Sequence, residues 1–242
     1  MTNKLINRFN IKQHTILFFS TFFLLHTAAQ QIEYTRLPIT DKWEDYKKQV
    51  KDDSTKRMVE LKTMIPGIQY ELRYATINNF MNRLMYPAGT NTTFLRVPAV
   101  KALQKVQREL NEKGYGLKIF DAYRPYAVTV KFWELVKDER YVANPSKGSG
   151  HNRGIAVDLT IINLQSGKTV DMGTDFDNFS DTAHHTFTDL SEKILQNRQL
   201  LKSTMVKYGF NAYNDEWWHY SFADGAKFEI LDIDFKKMNK DL

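Results

Sequence analysis

Apolar residues recur at helical spacing in several stretches of this chain. The clearest helix begins near Pro98, which suits a first helical turn, and ends before Gly114, which suits a C-cap. Similar spacing predicts a peripheral helix over residues 40–53 and two more over residues 127–140 and 191–208. The apolar stripe of the clearest helix consists of Val100, Leu103, Val106 and Leu110.

Alternating apolar and polar residues predict the strands. The most informative strand covers residues 155–161, where Asp158 falls on the face opposite the large apolar side chains. Helices and strands follow each other without a regular βαβ rhythm, so we expect an α+β fold with a mostly antiparallel central sheet flanked by helices. The remaining predicted elements are strands over 68–74 and 117–123, an aromatic hairpin over 210–213 and 217–222, and a long loop over 75–96.

Residues 1–29 differ in pattern from the rest of the chain. Three basic residues precede an apolar run from Thr15 to Leu25, and small residues follow as far as Ala29. This order is typical of a secretory signal peptide, and the run is shorter than the roughly 20 residues that cross a bilayer. We therefore expect cleavage near Ala29, a single domain over residues 30–242, and a periplasmic or secreted protein without a stable membrane partner. An uncleaved membrane anchor is the alternative.

The composition limits the side chains that can bind a metal and the kinds of partner that we expect. The chain has 242 residues, of which 42% are hydrophobic and 26% charged, as in folded globular proteins. It has no cysteine, so a transition metal must be bound by His, Asp or Glu. Without residues 1–29 the net charge falls from +6 to +3, with 31 basic against 28 acidic residues. No dense basic stripe remains, and we expect no nucleic-acid partner.

Two histidines beyond residue 30 have neighbours that suit metal binding. His151 lies among small residues ahead of the strand carboxylate Asp158, and His219 follows the carboxylate Glu216. A catalytic zinc ion takes three protein ligands from His and carboxylate side chains, and His151, Asp158 and His219 supply that number. Each could instead be an ordinary core or surface group. For His151 and Asp158 to meet, the chain must reverse between them, and the glycines that would permit it are Gly148, Gly150 and Gly154.

Other polar residues are candidates for catalysis or additional ligands. Glu216 beside a metal could act as a general base, although a surface hairpin also carries such carboxylates. Arg124, at the end of a predicted strand, could stabilise an oxyanion, or could form only a salt bridge with Asp121. The adjacent His184 and His185 are a competing source of ligands, but no strand carboxylate lies near them. We expect this pair to support the ligands from behind or to belong to a lid; an ordinary surface position is the alternative.

Two segments carry the candidate ligands: Ser149-x-His151-x-x-Gly154-x-Ala156-x-Asp158 and Glu216-x-x-His219. Together with other segments in the same order along the chain, they resemble the zinc D-alanyl-D-alanine dipeptidases, the VanX-like branch of the DD-peptidase and hedgehog-type fold. The resemblance covers roughly residues 60 to 225. The other segments are Tyr74-Ala75-Thr76 with Asn79-Phe80, Asp121-Ala122-Tyr123-Arg124-Pro125, Met172-Gly173-Thr174-Asp175-Phe176-Asp177, and Gln196-Asn197-Arg198 ahead of Gly209-Phe210.

The resemblance implies one zinc ion per chain, held by His151, Asp158 and His219. It makes Glu216 the general base and acid, and Arg124 the group that stabilises the tetrahedral intermediate. The implied activity is hydrolysis of the dipeptide D-Ala-D-Ala to two D-alanines.

Two more residues receive substrate contacts from the resemblance. Asp177 corresponds to the family's contact with the free ammonium of the dipeptide, and Ser149 to a contact with the substrate backbone. A carboxylate that receives the ammonium would explain why a dipeptide is cut and a longer peptide is not, because an N-terminal extension removes the charge.

The predicted signal peptide changes the cellular role that we expect for the protein. The family's antibiotic-resistance members act in the cytoplasm, whereas this chain carries an export pattern, so the expected substrate is dipeptide released from cell-wall material, for turnover or scavenging. The main alternative is a zinc D,D-carboxypeptidase acting on peptidoglycan stem peptides. A catalytically silent zinc-binding module is another alternative, although Glu216 and Arg124 are both present. A serine or cysteine hydrolase fits less well, because the chain has no cysteine and no Gly-x-Ser-x-Gly elbow.

Overall fold

Helices and short strands alternate irregularly in the computed structural model, which describes residues 37–241. The predicted signal peptide, residues 1–29, lies outside the described residues. The strands are β1 (Ile39–Thr40), β2 (Met58–Glu60), β3 (Gln69–Tyr70), β4 (Phe94–Arg96), β5 (Tyr115–Asp121), β6 (Ala156–Asn163), β7 (Phe210–Ala212), β8 (His219–Phe222) and β9 (Ile230–Leu231). The helices are α1 (Trp43–Asp52), α2 (Leu61–Met64), α3 (Val97–Glu112), α4 (Tyr126–Leu135), α5 (Glu192–Lys207) and α6 (Phe235–Met238).

The main sheet has five strands in the order β3-β5-β6-β8-β7. Only β3 and β5 are parallel, and the other neighbours are antiparallel. Two small sheets, β1 with β9 and β2 with β4, complete the strand pairing within residues 37–241. The predicted α+β fold with a mostly antiparallel central sheet is confirmed. Over the same residues no helix is both long and apolar enough to cross a bilayer.

The central strand β6 and the helix α3 make the core. Seven of the eight residues of β6, the middle strand of the five, are buried. The four apolar residues predicted for the stripe of α3 are all fully buried and pack toward β5. Full burial of one such side chain is worth about 1.5–3 kcal/mol, so this stripe is a main anchor of the sheet. Gly114 ends the helix with φ +81°, as its predicted C-cap role requires.

Several predicted elements differ from the structure in extent, and for three of them a local contact explains the difference. Helix α4 ends at Leu135, five residues before the predicted end, because Asp138 accepts a hydrogen bond from the Arg140 backbone N–H and closes a separate turn. The predicted strand 68–74 is reduced to β3, since the chain then enters a 3₁₀ turn over Arg73–Ala75. Strand β8 begins at His219 and not at residue 217, because the His219 N–H bonds the Glu216 carbonyl in a turn (3.3 Å).

The long loop predicted over residues 75–96 contains one strand. Its last three residues form β4, which pairs with β2 in antiparallel register from Met58↔Arg96 to Glu60↔Phe94. All six residues of this pair are buried. Neither segment therefore has the alternation of apolar and polar residues that marks a half-buried strand.

Candidate metal centre and active site

His151 is carried by a tight turn ahead of β6. The Gly154 N–H donates to the His151 carbonyl (3.1 Å), and Gly154 has φ +69°, a conformation that favours glycine. Gly148 is also left-handed, with φ +66°. Gly150 is required for space instead, because a Cβ there would lie 2.8 Å from the Ala156 Cβ. The predicted chain reversal between His151 and Asp158 is confirmed.

The other two candidate ligands come from neighbouring strands. Asp158 on β6 lies directly opposite His219 on β8 in the antiparallel register. Asp158 Oδ1 is 2.9 Å from His219 Nδ1, and Asp158 Oδ2 is 3.3 Å from His151 Nε2. The two imidazole nitrogens are 3.3 Å apart. One ligand atom from each of the three residues lies within 4.8 Å of the others, so the structure brings together the residues that the sequence proposed as ligands.

The imidazoles of this group are held by outer partners. His151 Nδ1 donates to the Ala122 carbonyl (2.7 Å), which leaves the Nε2 lone pair directed at Asp158. His219 Nε2 lies 3.2 Å from Ser221 Oγ, which leaves Nδ1 for the same carboxylate. Metal-bound histidines are usually fixed in this way by a partner on the second nitrogen. Two oriented imidazoles and one carboxylate fit a catalytic zinc ion.

The protonation states also suit metal binding. Burial alone would raise the pKa of Asp158, but the imidazoles of His151 and His219 outweigh it and bring that pKa below its usual value. Burial lowers the pKa of His219, against the opposing effect of Asp158. Metal ligands must be deprotonated, and these environments favour a carboxylate and a neutral imidazole.

Glu216 lies beside the three ligands in the turn that precedes β8. It is buried, and its Oε2 is 3.8 Å from His219 Nδ1. Burial, with the nearby carboxylates of Asp158 and Asp177, raises the pKa of Glu216 well above its usual value. A carboxyl group with a raised pKa can take up and return a proton near neutral pH. Glu216 belongs to the turn and not to an extended strand, because β8 begins only at His219.

Arg124 forms the salt bridge with Asp121 that the sequence offered as one alternative, and it also faces Asp158. Its Nε and Nη2 are 3.0 and 2.8 Å from Asp121 Oδ2, and Nη2 is 3.7 Å from Asp158 Oδ2. Its guanidinium lies over the rings of Phe132 and Tyr74, with distances of 4.7 and 5.1 Å to the ring centroids. The ion pair and the rings hold one buried cation beside the ligand group.

Asp121 is a site residue that the sequence offered only as a salt-bridge partner. It is fully buried at the end of β5 and also accepts a hydrogen bond from the Tyr86 hydroxyl (2.5 Å). Its Oδ2 is 3.7 Å from His151 Nδ1, so it lies behind a candidate ligand as well as behind Arg124. The sequence signals for Asp121 were its spacing from Arg124 at a strand end and its place in a segment that resembles the family.

A cavity of about 240 Å³ opens onto these residues. Asp177 lines it with φ +59°, rare for a residue other than glycine, and receives the Tyr74 hydroxyl at 3.1 Å. Burial raises the pKa of Asp177 well above its usual value. Ser149 also lines the cavity, and its Oγ accepts the His151 N–H (2.9 Å). The rest of the wall includes Phe80, Phe132, Glu139, Arg140, Tyr141, Tyr213 and Trp218.

The histidine pair His184 and His185 does not line this cavity. Both residues are half-buried, and the His185 ring lies 6.1 Å from the Tyr220 ring, centroid to centroid. The His184 carbonyl accepts from Arg198 on α5 (3.1 Å). The backbone of this segment is bonded to the turn that carries Glu216, since the His185 N–H donates to the Asn214 carbonyl (2.8 Å). A supporting or lid role for the pair stays a prediction. The alternative of an ordinary surface position does not fit their half-burial.

Comparison with known proteins relates the chain to D-Ala-D-Ala dipeptidases. The sequence model of the family Peptidase_M15, described as D-ala-D-ala dipeptidase, matches residues 54–240. A D-alanyl-D-alanine dipeptidase of Escherichia coli (strain K12) is 32% identical over 177 residues, covering 73% of this chain and 90% of that protein. One from Enterococcus faecium is 32% identical over 182 residues, covering 68% and 90%. Among solved structures, the LdcB LD-carboxypeptidase aligns with a TM-score of 0.38 at 19% identity, covering 76% of this chain and 73% of that chain.

Proposed function

This chain belongs to the Peptidase_M15 family of D-Ala-D-Ala dipeptidases, and from that membership we propose that it is a zinc-dependent dipeptidase hydrolysing D-Ala-D-Ala to two D-alanines. The observation that carries the proposal is the convergence of His151, Asp158 and His219 in one cavity with Glu216. One zinc ion per chain would be held by the first three residues.

The surrounding side chains supply the remaining chemistry. Zinc in such a site lowers the pKa of water and polarises a carbonyl oxygen. Glu216 takes the proton of the attacking water and returns it to the leaving amine nitrogen. Arg124 faces the same region and stabilises the charge that develops on the carbonyl oxygen. Because Asp121 fixes the guanidinium in advance, little reorganisation is needed as that charge forms.

Asp177 accounts for selection of a dipeptide. Without a bound cation, the buried carboxyl group of Asp177 favours its neutral form, as its raised pKa indicates. A substrate ammonium supplies the missing positive charge and converts Asp177 into an ion-pair partner, positioned by Tyr74. A peptide extended at its N-terminus has no such charge, and leaves the carboxyl group without its partner. Ser149 is the proposed contact for the substrate backbone.

The cellular role follows from the pattern of residues 1–29. We propose that the protein is exported and that its substrate is dipeptide released from cell-wall material. Fractionation of the producing cells, with N-terminal sequencing of the recovered protein, tests this separately from the activity. A protein that starts near residue 30 in the periplasmic or extracellular fraction is expected, and an intact N-terminus in the cytoplasm would contradict export.

Three substrates test the activity. Purified protein is incubated with D-Ala-D-Ala, L-Ala-L-Ala and an N-acetylated peptide ending in D-Ala-D-Ala, with and without a chelator. We expect cleavage of D-Ala-D-Ala alone, loss of cleavage with the chelator, and recovery with added zinc. Cleavage of the acetylated peptide alone would replace the proposal with a zinc D,D-carboxypeptidase.

A further inference from the structure

Both main-chain polar groups of Arg124 are bonded to the turn that carries His151. The Arg124 N–H donates to the His151 carbonyl (3.3 Å). The Arg124 carbonyl accepts from Nδ2 of the Asn152 side chain (2.8 Å). Two neighbouring residues of the turn thus hold the peptide groups on either side of Arg124. This connection is separate from the ion pair between the Arg124 side chain and Asp121.

Asn152 is fully buried, and its amide has a partner for every polar group. Its Oδ1 accepts the Ser149 N–H (3.0 Å), and the second Nδ2 hydrogen goes to Thr129 Oγ1 on α4 (2.9 Å). The donor and the acceptor of the amide are assigned by these neighbours, since Ser149 offers an N–H and Arg124 offers a carbonyl. One side chain therefore joins the turn before β6, the segment that follows β5 and the helix α4.

We propose that Asn152 is a positioning residue that sets Arg124 relative to His151. The inference rests on the proposed function, because it concerns the distance between a metal ligand and the group that stabilises the oxyanion. The two arrive from distant parts of the sequence, and a displacement of about 1 Å between catalytic groups can cost about 100-fold in rate. The Asn152 amide connects their backbones directly, so that relative movement of the two segments breaks hydrogen bonds inside the protein.

A role limited to filling space predicts a different result. Leucine has nearly the shape of asparagine and would fill the same buried position, but it can neither accept from Ser149 nor donate to Arg124. Replacement would then leave the Ser149 N–H and the Arg124 carbonyl buried without these partners. A space-filling residue would change stability only, whereas a positioning residue changes turnover in the protein that is still folded.

The test is a double-mutant cycle on D-Ala-D-Ala hydrolysis. We expect Asn152→Leu to lower kcat about 10- to 100-fold with little change in KM, because Arg124 acts in the transition state. In an Arg124→Met background the same substitution is expected to lower kcat by less than about threefold, since the group that it positions is gone. Equal losses in the two backgrounds, or an unchanged kcat, would overturn the inference.

Zinc affinity supplies a readout that does not depend on turnover. Competition with a chelator should give a zinc Kd about tenfold weaker for Asn152→Leu, because the turn that carries His151 loses its Ser149 hydrogen bond. An unchanged Kd would contradict a role in shaping the turn. If the wild-type protein binds zinc but does not cleave D-Ala-D-Ala, the proposed function is refuted. The zinc Kd of Asn152→Leu would still test whether Asn152 shapes the turn.

Two further variants control for folding. Thr129→Val removes only the bond to α4 and is expected to keep kcat and zinc Kd within about threefold of wild type. If Asn152→Leu does not fold, Asn152→Asp serves in its place, because it keeps the acceptor for Ser149 and loses the amide donor to Arg124. We expect it to retain the wild-type zinc Kd and to lose kcat, and a wild-type kcat would overturn the inference.

Discussion

The described part of the chain contains two pairs of histidines with opposite properties. His151 and His219 are 68 positions apart, yet their rings face one carboxylate from either side. His184 and His185 are adjacent in the sequence but share no carboxylate, and neither lines the cavity. Proximity in the sequence therefore says little about metal binding here. The strand pairing that places Asp158 opposite His219 determines which histidines share a carboxylate.

The partners of the second ring nitrogen differ in the same way. Ala122 and Ser221 occupy one nitrogen on each ring of the first pair and leave the other for Asp158. Within residues 37–241 the Nε2 atoms of His184 and His185 make no hydrogen bond. A metal-binding imidazole needs an orienting partner and a carboxylate neighbour. The first pair has both. In the second pair, His184 Nε2 lies 3.9 Å from Asp181 Oδ1, beyond hydrogen-bond distance.

Removal of one histidine from each pair should give the largest difference. We expect His219→Ala to abolish zinc binding at micromolar zinc and to reduce dipeptide hydrolysis to the background of chelator-treated protein. His185→Ala is the matched control, expected to retain bound zinc and activity. Zinc content measured together with D-alanine release checks both. Zinc loss in His185→Ala, with wild-type zinc in His219→Ala, would reverse the assignment.

The orienting partner of His219 should have an intermediate effect. Ser221→Ala removes the hydroxyl 3.2 Å from His219 Nε2, and we expect zinc affinity to fall about 10- to 100-fold. Ser203→Ala is the control, because this serine lines the groove beside His185 and donates only to the Leu200 carbonyl. Titration with a competing chelator measures both variants. Equal affinities in the two would mean that the hydroxyl does not orient the ring.

We expect His185 to affect the stability of the protein and not its catalysis. Burial, with Lys202 and Arg198 nearby, lowers the pKa of His185 from 6.5 to about 4. The unfolded chain then binds the proton more readily, so the free energy of unfolding falls as pH drops from 6.5 toward 4. His185→Gln should reduce this loss by about 1–2 kcal/mol. Urea unfolding of metal-free protein at several pH values measures it, and an unchanged slope would refute the prediction.

Local signals explain which parts of the fold could be predicted. Pro98 and Gly114 mark the ends of α3 in the sequence itself, and the helix has Pro98 in its first turn and ends before Gly114, as predicted. The pair β2 and β4 has no such signal, because its pairing from Met58 to Arg96 joins distant segments and buries every residue. The early end of α4 depends on a turn at Asp138, which the apolar pattern does not reveal.

The candidate site was predictable for residues whose side-chain type indicates metal binding or proton transfer. His151, Asp158, His219 and Glu216 were identified from ligand and base chemistry together with a family resemblance, which the family match confirms. The positions of Asp121 and Asn152 were not, because their roles depend on which groups the fold brings within hydrogen-bond distance. An aspartate near an arginine or an asparagine in a turn is common in any sequence, and only the tertiary contacts distinguish these two.

The central claim is that the metal ligands His151, Asp158 and His219 act together with the carboxylate of Glu216 in a single site. Glu216→Ala tests it most directly, with zinc content and D-alanine release measured on the same samples of variant and wild type. We expect both proteins to bind about one zinc ion per chain and only the wild type to release D-alanine from D-Ala-D-Ala. Turnover by Glu216→Ala at the wild-type rate would contradict the account.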